Sequence, residues 1–127
     1  MNERVPALLV HVLLVEDHVQ LRRILQHTLT QDGFRVTAAE NADKARSILA
    51  DGFAADILLT DIRMPGALNG LELARWARAH RPDVAVLLQT GFVEVDTEDF
   101  RVLRKPFSPD ELSAQLRAAA SDRGTAT

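Results

Sequence analysis

Short apolar runs alternate along this chain with stretches whose apolar residues recur every three or four positions. That alternation leaves few folds open. Val10 to Val15 is a nearly continuous apolar run, interrupted by His11, as expected of a strand buried on both faces. Leu21, Ile24, Leu25 and Leu29 follow on one helix face, with Gly33 placed as a C-terminal cap. Phe34 to Ala38 reads as a second strand, and Asn41 to Leu49 as a helix with Asn41 at its N-cap, ended by Asp51-Gly52. Asp56 to Thr60 is a third strand, Gly70 to His80 a helix closed by Arg81-Pro82, and Val84 to Leu88 a fourth strand. Val102 to Arg104 is a weak fifth. Ser108-Pro109-Asp110-Glu111 starts a last helix, with Ser at the N-cap, Pro at the first position and Glu placed for a capping box. Leu112, Leu116 and Ala119 mark its inner face.

Strands alternating with helices imply parallel strands joined by right-handed crossovers. Five of them in one chain suggest an open, doubly wound α/β sheet, where ligands bind beyond the carboxyl ends of the strands. At 127 residues the chain is expected to form a single domain, with a core from about 10 to 120 and a loose tail over 121–127. No repeat or linker interrupts it. The net charge of −3 disfavours nucleic acid or an anionic membrane as a direct partner. The absence of cysteine removes disulfides, thiolate zinc sites and cysteine nucleophiles. No apolar run reaches the roughly 18 residues of a membrane span. Met1 to Ala7 lacks a signal peptide's basic region and cleavage site, so the cytoplasm is the expected location.

The informative residues stand just after the apolar runs. Glu16 and Asp17 follow the first strand, Asp61 the third, Thr90 ends the fourth and Lys105-Pro106 the fifth. Singly these are bland: a turn Asp, an acidic helix start, an uninformative Thr or Lys, a Lys-Pro break. Their joint placement at carboxyl ends reverses that preference. If strands one, three and four are neighbours, three carboxylates, a hydroxyl and an ammonium meet at one rim. Two carboxylates ~4 Å apart repel by about 4 kcal/mol at an effective dielectric near 20. A hard divalent cation such as Mg2+ relieves this through oxygen ligands. A carboxylate beside it can attack a phosphoryl group and become an acyl phosphate. The metal, Thr90 and Lys105 can each then take one phosphoryl oxygen.

With these residues the chain resembles the receiver domains of bacterial two-component response regulators, over roughly Val10 to Ala120. The resemblance rests on Leu13-Leu14-Val15-Glu16-Asp17, on Leu59-Thr60-Asp61-Ile62-Arg63-Met64-Pro65 with Gly70 after it, on Thr90-Gly91, and on Lys105-Pro106-Phe107. It implies a flavodoxin-like fold with strand order 2-1-3-4-5. It implies that Asp61 accepts phosphate from a histidine kinase or phosphotransfer protein. Asp17, Asp61 and the backbone carbonyl of Arg63 would bind Mg2+, with Glu16 acting through water or touching the metal. Thr90 would be the switch hydroxyl, Lys105 would pair with the phosphoryl group, and the Lys105–Pro106 bond is often cis in such domains.

Two features depart from the family pattern. Only the 14 residues Gly91 to Arg104 separate Thr90 from Lys105. After about four for a strand, ten remain for two connections and a helix that ordinarily takes about 11–12 by itself. The fourth helix is therefore expected to be missing or reduced to about one turn, which resembles receivers of hybrid histidine kinases and some stand-alone relatives. The usual aromatic switch position, three residues before the lysine, holds Val102. Phe100 shares its face on an extended strand and is a candidate substitute, although capping the core is its plainer role. The loop Gly66 to Asn69 is one residue longer than common. Arg63 sits where such domains tune phosphate turnover, Gly91 leaves space beside Thr90, and Phe92 is placed to shield the acyl phosphate. His11, His18, His27 and His80 form no metal set, and Trp76 reads as a packing residue.

The leading expectation is a phosphoacceptor signalling module, not a turnover enzyme, whose phosphorylation changes binding to an unidentified downstream protein. A Mg2+-dependent aspartyl-phosphate phosphohydrolase is the alternative, weakened because Arg63 stands where such enzymes often carry a second Asp. A nucleotide binder is disfavoured by Glu16-Asp17-His18 after the first strand, which would repel phosphate without a metal. A phosphorylation-independent binding module is the remaining reading, ranked low because all five expected site groups are present.

Overall fold

The computed structural model describes residues 10–64, 66, 68–91, 97 and 99–125, with side chains through 122. In chain order the elements are β1 (His11–Val15), α1 (Val19–Gln31), β2 (Arg35–Ala39), α2 (Ala42–Ala50), β3 (Ile57–Asp61), α3 (Gly70–His80), β4 (Ala85–Thr90), β5 (Arg101–Arg104) and α4 (Pro109–Thr125). The strands form one sheet in the order β2-β1-β3-β4-β5, every neighbouring pair parallel. This is the flavodoxin-like order that the resemblance implies.

The sheet is apolar on both faces, so alternate residues of each strand enter different cores. Val12, Leu14, Ile57, Leu59 and Leu87 join Leu25 and Leu29 of α1 and Leu112 and Leu116 of α4. Leu13, Val15 and Leu58 pack on the other side with Ala45 and Leu49 of α2 and Leu73 and Ala77 of α3. Burying each such leucine is worth roughly 1.5–3 kcal/mol. Trp76 packs partly buried against this second cluster and stacks on His80, ring centroids 4.8 Å apart.

Local chemistry sets the helix ends. Asn41 Oδ1 accepts from Lys44 N–H at 2.7 Å, as the cap position requires. Ser108 and Glu111 close the expected capping box, with N···O distances of 2.7 and 3.0 Å. A second capping box, Asn69 with Glu72, opens α3. Gly33, at φ 98°, supplies the left-handed residue after α1.

Several expectations need correction. Ile24, on the stripe with Leu25 and Leu29, is 60% exposed, because α1 lays Leu25 and Leu29 on the sheet and leaves Ile24 at the stripe's outer edge. Residues 121–125 continue α4 instead of forming a loose tail, and Asp122 there is ion-paired to Arg101 at the β5 edge. The described residues contain four helices, none between β4 and β5. Residues 92–96 and 98, on which most of the expected shortened fourth helix falls, lie outside the described residues, as does Phe92.

Candidate functional site

Register brings the candidate residues together. Val15 pairs with Thr60 across β1 and β3, so Glu16 and Asp61, one residue further on, end level with each other. Asp61 is in turn the partner of Gln89 on β4. Thr90 pairs with Arg104, and Lys105 N–H bonds to the Thr90 carbonyl at 2.8 Å. By strand alternation Glu16, Asp61, Gln89 and Lys105 continue the face that packs on α1 and α4. The site is the polar end of that core.

Glu16, Asp17 and Asp61 each offer a carboxylate oxygen, and these oxygens lie within 4.8 Å of one another. Glu16 and Asp61 are buried, while Asp17 is exposed. Lys105 Nζ lies 2.9 Å from Asp61 Oδ1. Glu16 Oε2 accepts from His18 N–H at 3.2 Å, and the Glu16 carbonyl accepts from Arg22 at 2.8 Å. Glu16 Oε1 is buried with no hydrogen-bond partner among the described residues. Desolvation, a hydrogen bond with Asp61 and the Asp61 charge push the Glu16 carboxyl up to about 8, against the opposing pull of His18 N–H and Lys105. His18 caps α1 by accepting from Leu21 N–H at 3.3 Å, the plain helix-start role.

These groups wall a cavity of about 320 Å3, which Arg63, Thr90 and Gly91 also line. The backbone of Asp61 is closely approached by a glycine: a Cβ on Gly70 would stand 1.7 Å from the Asp61 carbonyl oxygen. The helix start can close over the acidic strand end only without a side chain there, and Gly70 N–H then bonds to the Ile62 carbonyl at 2.8 Å. The Lys105–Pro106 peptide is cis.

The donor set fits a hard divalent cation. It is all oxygen, carries formal charge in excess of Lys105, and holds one buried carboxylate oxygen without a partner. Phe100 and Val102 lie elsewhere. They pack against Ile62, Ala74 and Leu88 on the α3 side, where the Arg78 guanidinium sits 3.7 Å from the Phe100 ring centre, and neither lines the acidic cavity. Gln89 is the cavity residue that the sequence reading missed. Its signal was a lone carboxamide between the apolar run Ala85-Val86-Leu87-Leu88 and Thr90.

Among the described residues no helix is long and apolar enough to cross a membrane. Comparison with known proteins matches residues 12–117 to the response regulator receiver domain. The response regulator receiver protein CpdR of Brucella abortus is 39% identical over 112 residues, covering 83% of this chain and 92% of its own length. An uncharacterised transcriptional regulatory protein of Bacillus subtilis, YkoG, is 32% identical over 126 residues. The match takes in 92% of this chain but 54% of YkoG, and 25% of the transcriptional regulator DctD of Rhizobium meliloti, so the chain spans about half or less of these longer relatives. A receiver protein structure from Sinorhizobium medicae superposes with a TM-score of 0.77 at 33% identity, covering 87% of this chain and 96% of that one. The response regulator TrrA of Thermotoga maritima, solved with Mg2+ and BeF, gives 0.77 at 29% identity, with 86% and 97% covered. The chain belongs to the response regulator receiver domain family.

Proposed function

We propose that this chain is one phosphoacceptor signalling domain in which Asp61 takes a phosphoryl group from a histidine kinase or phosphotransfer protein. The observation that carries the reading is the 2.9 Å pairing of Lys105 with Asp61 inside a cavity that also holds Glu16 and Asp17. An Asp61 oxygen attacks phosphorus, the P–N bond of the donor phosphohistidine breaks, and the imidazole leaves with the electron pair. Lys105, already at the acceptor, moves its ammonium to a phosphoryl oxygen, and the Thr90 hydroxyl donates to another. Asp17, Asp61, Glu16 and the Arg63 carbonyl would hold Mg2+, which when bound screens the entering phosphoryl charge.

Arg63 stands where an aspartyl-phosphate phosphohydrolase often carries a second Asp, so the site is read as a phosphoacceptor and not as a turnover enzyme. The domain is taken to act in the cytoplasm, where phosphorylation alters its binding to a downstream protein, without direct contact to nucleic acid or membrane. Phe100 and Val102 are taken as the candidate switch residues.

Intact mass after incubation with Mg2+ and a small phosphodonor tests this. Wild type should gain one phosphoryl group and Asp61→Asn none. Failure of wild type to label, with its cognate kinase as well as with the small donor, would overturn the reading.

A further inference from the structure

His18 lines the acidic cavity beside Asp17, and the fold fixes it at two points. Its backbone N–H donates to Glu16 Oε2 at 3.2 Å. Its ring Nδ1 accepts from Leu21 N–H at 3.3 Å, as the N-cap of α1. The buried Asp61 marks the inner end of the cavity, and the exposed His18, Asp17 and Gly91 mark its mouth.

The cap decides the tautomer. A neutral imidazole has one N–H donor and one acceptor nitrogen. Nδ1 accepts from Leu21, so Nε2 carries the proton. While it caps, the ring has no nitrogen left to take a proton from water. What it offers an occupant of the cavity is a single N–H, held in place before the occupant arrives.

Position says what that N–H meets. Attack by Asp61 on phosphorus runs roughly in line with departure of the leaving group, so the leaving group departs toward the mouth. The phosphoryl oxygens turn to Lys105, Thr90 and the metal in the arrangement described above, and His18 is left to the leaving group. An acyl phosphate leaves as a carboxylate, whose oxygens accept hydrogen bonds and gain charge as the O–P bond breaks. A phosphoramidate leaves through a nitrogen whose released electron pair points at phosphorus, away from His18.

We propose that His18 is a specificity-determining residue for small acyl phosphates, donating its Nε2–H to the leaving carboxylate. The inference rests on the phosphoacceptor reading and deepens it. In this step an Asp61 oxygen bonds to phosphorus, the acyl O–P bond breaks, the carboxylate takes the bonding pair, and no proton moves.

The test follows the rate of phosphorylation of the full chain by intact mass, with Mg2+ present, for wild type and His18→Ser. Acetyl phosphate and phosphoramidate are the two donors. Serine keeps an N-cap acceptor, and any residual loss of the cap slows both donors alike, so the ratio of the two rates is the readout. In His18→Ser the rate with acetyl phosphate should fall about tenfold, the loss of one hydrogen bond to developing charge. The rate with phosphoramidate should stay nearly unchanged. Equal losses with both donors, or no loss with acetyl phosphate, would overturn the inference and leave Asp61 as the acceptor. Wild type labelled by neither donor would overturn it as well, and the phosphoacceptor reading falls only if the cognate kinase also fails to label.

Discussion

Gly70 shows how tightly single residues define this site. Its missing side chain is what lets α3 begin against the Asp61 carbonyl. Gly70→Ala must push backbone from backbone, with no flexible neighbour to yield. It should cost about 3 kcal/mol of stability in urea unfolding and lower Asp61 phosphorylation together. Glu16 gives a pH signature. The folded state keeps a proton on it up to about 8, whereas the unfolded chain releases that proton near 4.5. Between those values the folded state binds more protons, so stability falls as pH rises. In EDTA, the urea midpoint of wild type should decline across that window, and Glu16→Gln should decline less. A steeper decline in Glu16→Gln would contradict this account. These roles were only partly legible beforehand. Glu16, Asp17, Asp61, Thr90 and Lys105 announce themselves by ending apolar runs. Gln89 stands beside them between Leu88 and Thr90 without announcing itself, because the position alone does not reveal that its side chain is fully buried.

Elements differ in what their sequence carries. The strands were readable because runs such as Leu13-Leu14-Val15 are buried on both faces. Ser108-Pro109-Asp110-Glu111 fixed the start of α4 because capping is local chemistry. Its end was not readable, since the contact that holds Asp122 comes from Arg101, far along the chain. Likewise Ile24 fits a helical stripe yet faces outward, because only the neighbouring α4 decides how wide a stripe α1 can bury. At this scale the caps and the core should separate in measured stability. Asn69→Ala removes the side-chain bond to Glu72 N–H, 2.8 Å long, and should cost about 1 kcal/mol. Leu116→Ala, wholly buried between α4 and the sheet, should cost about 2–5 kcal/mol. Chemical denaturation of the two variants gives the comparison, and similar losses would show that the α4 side of the core is loosely packed.

Across the whole molecule, a cation held by the folded acidic cluster and not by the unfolded chain stabilises the fold by mass action. At about 100 times its dissociation constant the gain is about 2.7 kcal/mol. Mg2+ should therefore raise the melting temperature of wild type and leave that of Asp17→Asn nearly unchanged. An equal rise in both would place the ion elsewhere. The two cores are also unequal in what they terminate in. The layer shared with α1 and α4 ends in Glu16, Asp61 and Lys105, whereas the layer shared with α2 and α3 carries none of these side chains. A charge added at Asp61 would therefore fall on the α1 and α4 side of the sheet, with Thr90 one residue beyond Gln89 on the opposite face. The half built on α1 and α4 would meet such a charge directly, whereas Phe100 and Val102, packed on the α3 side, would meet it only through the thickness of the sheet.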